Sequence, residues 1–105
     1  MLEVVRYVAK DGRQPFTEWR RQLDADAAAR IDIAVGRMSD GNLADTKSVG
    51  AGVLERRIPW GPGYRIYFGR DGNCLIVLLG GGTKQRQQVD IERAHARWAD
   101  YKQRR

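Results

Sequence analysis

The sequence predicts a single α+β domain over residues 1–105, in the order β-α-α-β-β-β-α, with an antiparallel sheet packed by helices. Three observations predict it. A strand-like run opens the chain, two stretches with helical spacing follow, and three closely spaced strand candidates precede a last helical stretch. A chain of 105 residues supports one hydrophobic core and not two.

Residues 2–8 are rich in β-branched and aromatic side chains and read as the first strand, ended by Asp11-Gly12. Pro15 suits the first turn of a helix. Phe16, Trp19, Arg20 and Leu23 continue it at helical spacing, the Arg20 stem lying along the edge. Asp24 or Asp26 caps a second helix, in which Ile31, Val35 and Met38 recur on one face and Ala27, Ala28 and Ala34 allow close packing. Gly41-Asn42 stops that helix. The two helices pair as a hairpin over one side of the sheet.

Residues 42–52 read as a polar loop. Three strands follow: 53–58, ended by Pro59; 63–69, ended by the turn Arg70-Asp71-Gly72-Asn73; and 74–79, ended by the glycines at 80–82. Their short spacing favours a meander. The unbroken apolar run of the third strand reads as buried on both faces. Asp90 suits the start of the last helix, whose apolar stripe is Ile91, Ala94, Trp98 and Tyr101. Gln103-Arg104-Arg105 reads as a frayed basic end.

Nineteen Lys and Arg against thirteen Asp and Glu give a formal charge of +6. That balance favours an anionic partner, nucleic acid or an acidic protein, ahead of a membrane. Cys74 is the one cysteine, which rules out an internal disulfide; inside its apolar run it reads as a reduced core residue. His95 is the one histidine and reads as a surface residue, and no zinc spacing is present. No apolar run approaches the roughly 20 residues of a membrane span. No signal-peptide apolar segment follows Met1. The expectation is a cytoplasmic protein with no metal or cofactor. The glycines before Thr83-Lys84 lack P-loop spacing and any βαβ unit.

Strand alternation sorts the remaining side chains. Leu54 and Ile58 share a face with Tyr64, Ile66 and Phe68 in the core. Glu55, Arg57, Arg65 and Tyr67 are left together on the opposite face. Arg56 falls on the apolar side, a conflict it resolves by snorkelling at an edge. Lys84 reaches the polar face from the end of the third strand, and Lys47 closes it from the loop before the first. Arginine grips phosphate with a planar fork, and tyrosine stacks on a base or moves a proton. The expected site is a cationic sheet face that grips an RNA backbone.

The chain resembles the RelE/ParE superfamily of type II toxins, in the addiction-module killer protein subgroup, which is similar to HigB-type toxins. The resemblance rests on Pro15-Phe16 with Glu18-Trp19; Gly41-Asn42-Leu43 with Asp45 and Lys47; Glu55 with Arg57-Ile58; the run Gly61 to Phe68; Gly81-Gly82 with Lys84 and Gln87; and Asp90 to Ala94 with Trp98. It covers nearly the whole chain, and departs from the subgroup at Arg56, Thr83 and Gln85-Arg86. It implies a RelE-like fold and a toxin neutralised by a cognate antitoxin, typically a helix-turn-helix protein. It further implies a ribosome-dependent, metal-independent endoribonuclease acting on mRNA. On that reading Arg57 and Arg65 bind phosphate and stabilise charge, Lys84 or Lys47 moves the proton, and Tyr67 orients the nucleotide. Lys47, Glu55 and Arg56 border the RNA. The alternatives are a ParE-type inhibitor of DNA gyrase and a degenerate toxin acting only in a repressor complex.

Overall fold

A computed structural model describes residues 1–105. Its elements are β1 (Glu3–Arg6), α1 (Pro15–Arg21), α2 (Ala25–Ser39), β2 (Thr46–Ser48), β3 (Leu54–Ile58), β4 (Tyr64–Asp71), β5 (Leu75–Thr83) and α3 (Gln87–Arg104), with a 3₁₀ turn over Lys84–Arg86 before α3. The chain is a small α+β domain of five strands and three helices. The strand order is β1-β5-β4-β3-β2.

Two features differ from the expected order. A short strand, β2, lies in the segment read as a loop and pairs with β3 through Lys47 opposite Glu55. The sheet is mixed, because β1 runs parallel to β5, with Val4 opposite Ile76 and Arg6 opposite Leu78. The αα-hairpin and the strands β2 to β4 separate β1 from β5, a connection long enough for parallel pairing.

Local chemistry accounts for the helix starts. Pro15 occupies the first turn of α1. Asp24, not Asp26, caps α2, its side chain accepting from the Ala27 amide at 2.9 Å. The α3 helix continues to Arg104, beyond the expected fraying. Arg104 donates to the Val8 carbonyl at 2.6 Å, and Arg105 pairs with Asp71 at 2.8 Å.

The predicted strand parity holds, and both faces of the sheet are covered. Ile66, Phe68, Ile76 and Leu78 pack with Phe16, Ile31, Ala34 and Met38 beneath α1 and α2. Tyr67, Val77 and Leu79 pack on the other face with Val53, Ala94 and Trp98, beneath α3. The apolar stripe of α3 therefore lies over the face expected to be open and cationic.

The triple glycine belongs to β5 and does not end it. A bulge between Tyr67/Gly80 and Phe68/Leu78 leaves Leu79 extra, so Leu79 and Gly80 both face α3. These glycines serve close approach. A Cβ on Gly81 would run into the Trp19 ring of α1, and one on Gly82 would meet the Asp90 carboxylate of α3. At the other end of the hairpin, β4 runs on to Asp71 and β5 starts at Leu75, so the connection is residues 72–74. Cys74 is consequently exposed at that turn rather than buried. No helix is long and apolar enough to cross a membrane.

Candidate functional site

The β3–β4 ladder sets Glu55 opposite Tyr67 and Arg57 opposite Arg65, so all four side chains project to the α3 side. Glu55 is fully buried. Its Oε2 accepts from Gln87 Nε2 at 2.9 Å and lies 3.5 Å from Arg65 Nε, while its Oε1 lies 3.9 Å from Lys47 Nζ. Arg65 is buried and donates through Nη1 to the Gly63 carbonyl at 2.9 Å. Lys84 reaches the same corner: its Cβ would stand 3.5 Å from a Cβ built on Gly63. The glycine at 63, with φ +77°, turns the chain there without the steric cost of a side chain.

One carboxylate thus organises a corner of four cations. Lys47, Arg57 and Lys84 stand exposed around buried Arg65. Two arginines directly opposed across a ladder repel each other. Glu55 offsets that repulsion from below, and the exposed guanidinium and ammonium groups remain open to an anion.

Three expected site residues sit elsewhere or differently. Tyr67 is 1% exposed, so its ring packs in the core beneath α3 and is not open to stack on a base. Burial pushes its phenol well above the ordinary range, and the neighbouring Glu55 carboxylate raises it further. The hydroxyl lies near Glu55 but out of hydrogen-bonding geometry, leaving it without a partner. A phenol so shifted stays protonated near neutral pH. Glu55 faces the interior and acts on its neighbouring cations rather than on a ligand. Arg56 is buried on the α1–α2 side, where Nη1 donates to the Asn42 carbonyl at 2.9 Å. That bond, not an exposed edge, resolves the parity conflict and ties β3 to the end of α2.

Two groups were given no part in the site by the sequence reading. Gln87 holds Glu55 from the first turn of α3. Asp90 lies one turn on, against the Gly82 backbone, with Oδ2 buried and unpaired. The available signal was the polar repeat Arg86, Asp90, Arg93 and Arg97 beside the apolar stripe of α3. His95 is half-buried and hydrogen-bonds through Nε2 to the Val49 carbonyl at 2.9 Å, a structural contact.

Burial raises the Asp90 carboxyl above the usual carboxylate range, against the opposing pull of Arg86, Arg93 and Arg97. A raised acid pKa contributes stability below its unfolded value and loses it as pH rises through the folded value. Asp90→Asn is therefore expected to melt higher than the parent at pH 7. The gain should shrink as the pH is lowered through the carboxylate range. Thermal melts across pH 3–8 check this, and a variant less stable at pH 7 would contradict it.

Fold and site together define a small basic α+β protein with a cationic sheet corner built on a buried glutamate. It belongs to the same family as an uncharacterized protein of Haemophilus influenzae, to which it is 40% identical over 80 residues, or 75% of this chain and 81% of that protein. No family model matches the chain.

Proposed function

We propose that this protein is the toxin of a type II toxin–antitoxin pair with a RelE-like fold, and that it cleaves mRNA on the ribosome. The observation that carries the reading is the cation corner: Arg57 opposite Arg65, flanked by Lys47 and Lys84 and seated on Glu55. The order β-α-α, sheet, α and the residue-level resemblance to RelE/ParE toxins support it.

In the proposed reaction the 2′-oxygen of the RNA attacks its neighbouring phosphorus while the bond from phosphorus to the 5′-oxygen breaks. A base takes the 2′-hydroxyl proton and an acid protonates the leaving oxygen, giving a 2′,3′-cyclic phosphate and a 5′-hydroxyl. Arg57 stabilises charge on the phosphoryl oxygens, and Arg65 supports it from beneath. Lys84 and Lys47 flank the phosphate and supply the proton transfers. No side chain of the corner is asked to stack on the base, since Tyr67 is buried.

Arg57 is the informative position because its side chain is exposed, so its loss leaves the core intact. Induced expression of the parent is expected to arrest growth and to produce 5′ ends inside reading frames by primer extension. Arg57→Ala should fold normally and lower cleavage about 10²-fold, the usual scale for one transition-state donor. DNA breaks with an SOS response and intact mRNA would replace this reading with gyrase inhibition. Full cleavage by the variant would remove Arg57 from the site. The cognate antitoxin is the expected cytoplasmic partner.

A further inference from the structure

A deep cleft lies apart from the cation corner, at a place where strand pairing breaks off. The β1 strand pairs with β5 only from Leu75 to Leu78, and the Tyr7 amide adds a last bond to the Leu78 carbonyl. The chain then turns away through the Ala9–Arg13 loop, closed by the Ala9 amide on the Arg13 carbonyl at 2.8 Å. β5 continues to Thr83 with no strand on that side. Its free edge is the floor of a slot of about 650 Å³. One wall is α1, with Pro15, Trp19 and Leu23; the other is the start and middle of α3, with Arg86, Arg93 and Arg97.

An open strand edge presents unpaired amide and carbonyl groups to whatever lies beside it. At one end of this edge Arg97 Nη1 donates to the Leu79 carbonyl at 3.0 Å and covers Gly80, which leaves Gly81–Thr83 to line the slot. The walls are chemically unlike. Arg86 and Arg93 are exposed and form no ion pair, while Asp90 between them turns its carboxylate in against Gly82, with Oδ2 buried and without a hydrogen-bond partner. The remaining cation of the slot, Arg13, is already paired with Glu18 at 2.6 Å. The opposite wall presents the half-buried Trp19 ring, which the glycine at 81 lets lie against the sheet.

We infer that this slot is a docking site for an extended acidic peptide of a partner protein, which adds to β5 as a sixth strand where β1 leaves off. The three residues Gly81–Thr83 line the floor, about 10 Å at roughly 3.4 Å per residue, room for about three peptide residues. Side chains of an added strand alternate between the two walls. The partner segment therefore alternates acidic residues toward Arg86 and Arg93 with apolar residues toward Trp19 and Leu23. Main-chain bonds supply affinity and this alternation supplies selectivity. A nucleic-acid strand matches the arginines but not the row of edge amides and carbonyls. The slot stands on its own geometry; under the toxin reading, the antitoxin is the protein that carries the segment.

The test is a titration of the ¹⁵N-labelled full chain with a seven-residue peptide alternating glutamate and leucine. Controls are a lysine–leucine peptide of the same pattern and hexauridylate. The acidic peptide is expected to shift the amides of Gly81–Thr83 and slow their hydrogen exchange, and the lysine peptide to leave them unmoved. The double variant Arg86→Glu, Arg93→Glu should melt like the parent and bind the acidic peptide at least tenfold more weakly. Shifts confined to the Lys47–Arg57–Lys84 corner, no shift at millimolar acidic peptide, or occupation of the slot by hexauridylate alone would each overturn the proposal. None of these readouts depends on RNA cleavage, so the ribonuclease reading stands or falls separately.

Discussion

One added methyl group at Gly69 is expected to cost the fold about 3 kcal/mol, the upper end for overpacking a core. A Cβ at that position would lie 2.5 Å from both Cε3 and Cζ3 of Trp98. The ring has nowhere to go. It is 4% exposed and stacks on Tyr101 at 5.2 Å with the planes 5° apart. A Cβ at Gly52 would come within 2.8 Å of its Nε1, so the backbone closes on the indole from β4 and from the turn before β3. Gly36 is the matched control. It lies inside α2 with open space around its missing side chain, so Gly36→Ala should stabilise by about 0.5–1 kcal/mol. Urea unfolding of both variants gives the comparison. The cause is tested by repeating Gly69→Ala in a Trp98→Leu background, where the penalty should fall by more than about 1 kcal/mol through direct coupling. An equal penalty in both backgrounds would mean that Trp98 is not what the glycine accommodates.

That glycine also shows why part of the fold was legible and part was not. Local signals located β1, both helices of the hairpin, the meander and α3, because periodicity and punctuation are written in adjacent residues. Strand parity also survived, since Ile66 and Phe68 face α1 and α2 while Arg65 and Tyr67 face the other way. Non-local pairing was not written locally. Nothing near residues 3–6 states that they run parallel to β5, or that Thr46–Ser48 makes an edge strand. Glycine carried two meanings, turn and close approach, and only the positions of Trp19, Trp98 and Asp90 separate them. The open cationic face was the costliest misreading. The apolar run of β5 already required cover on both sides, and the stripe Ile91, Ala94, Trp98, Tyr101 was the segment able to provide it. Joined, those two facts place α3 over Tyr67 and leave only the rim, Lys47, Arg57 and Lys84, facing solvent.

Glu55→Ala is expected to cost about 3–5 kcal/mol, the scale for removing one member of a buried ion pair. The carboxylate is the fully buried acidic group at the corner. It neutralises Arg65 at 3.5 Å, approaches Lys47 at 3.9 Å and fixes Gln87 at 2.9 Å. Its loss leaves the Arg65 guanidinium buried with only the Gly63 carbonyl, and leaves Arg57 and Arg65 opposed without an anion beneath them. It also frees Gln87, the residue that ties the start of α3 to β3. The loss should be larger than that of Arg57→Ala, which removes an exposed charge and is expected to stay within about 0.5 kcal/mol of the parent. Added salt screens the exposed repulsion but not the buried defect, so 0.5 M NaCl should recover only a minor part of the Glu55→Ala loss. Chemical unfolding at low and high salt reads both effects. A Glu55→Ala midpoint equal to that of the parent, or a full recovery in salt, would show that the carboxylate is not the keystone of the corner. The contrast separates the two roles: Arg57 is dispensable for folding and required for the proposed chemistry, whereas Glu55 is required for the platform on which that chemistry depends.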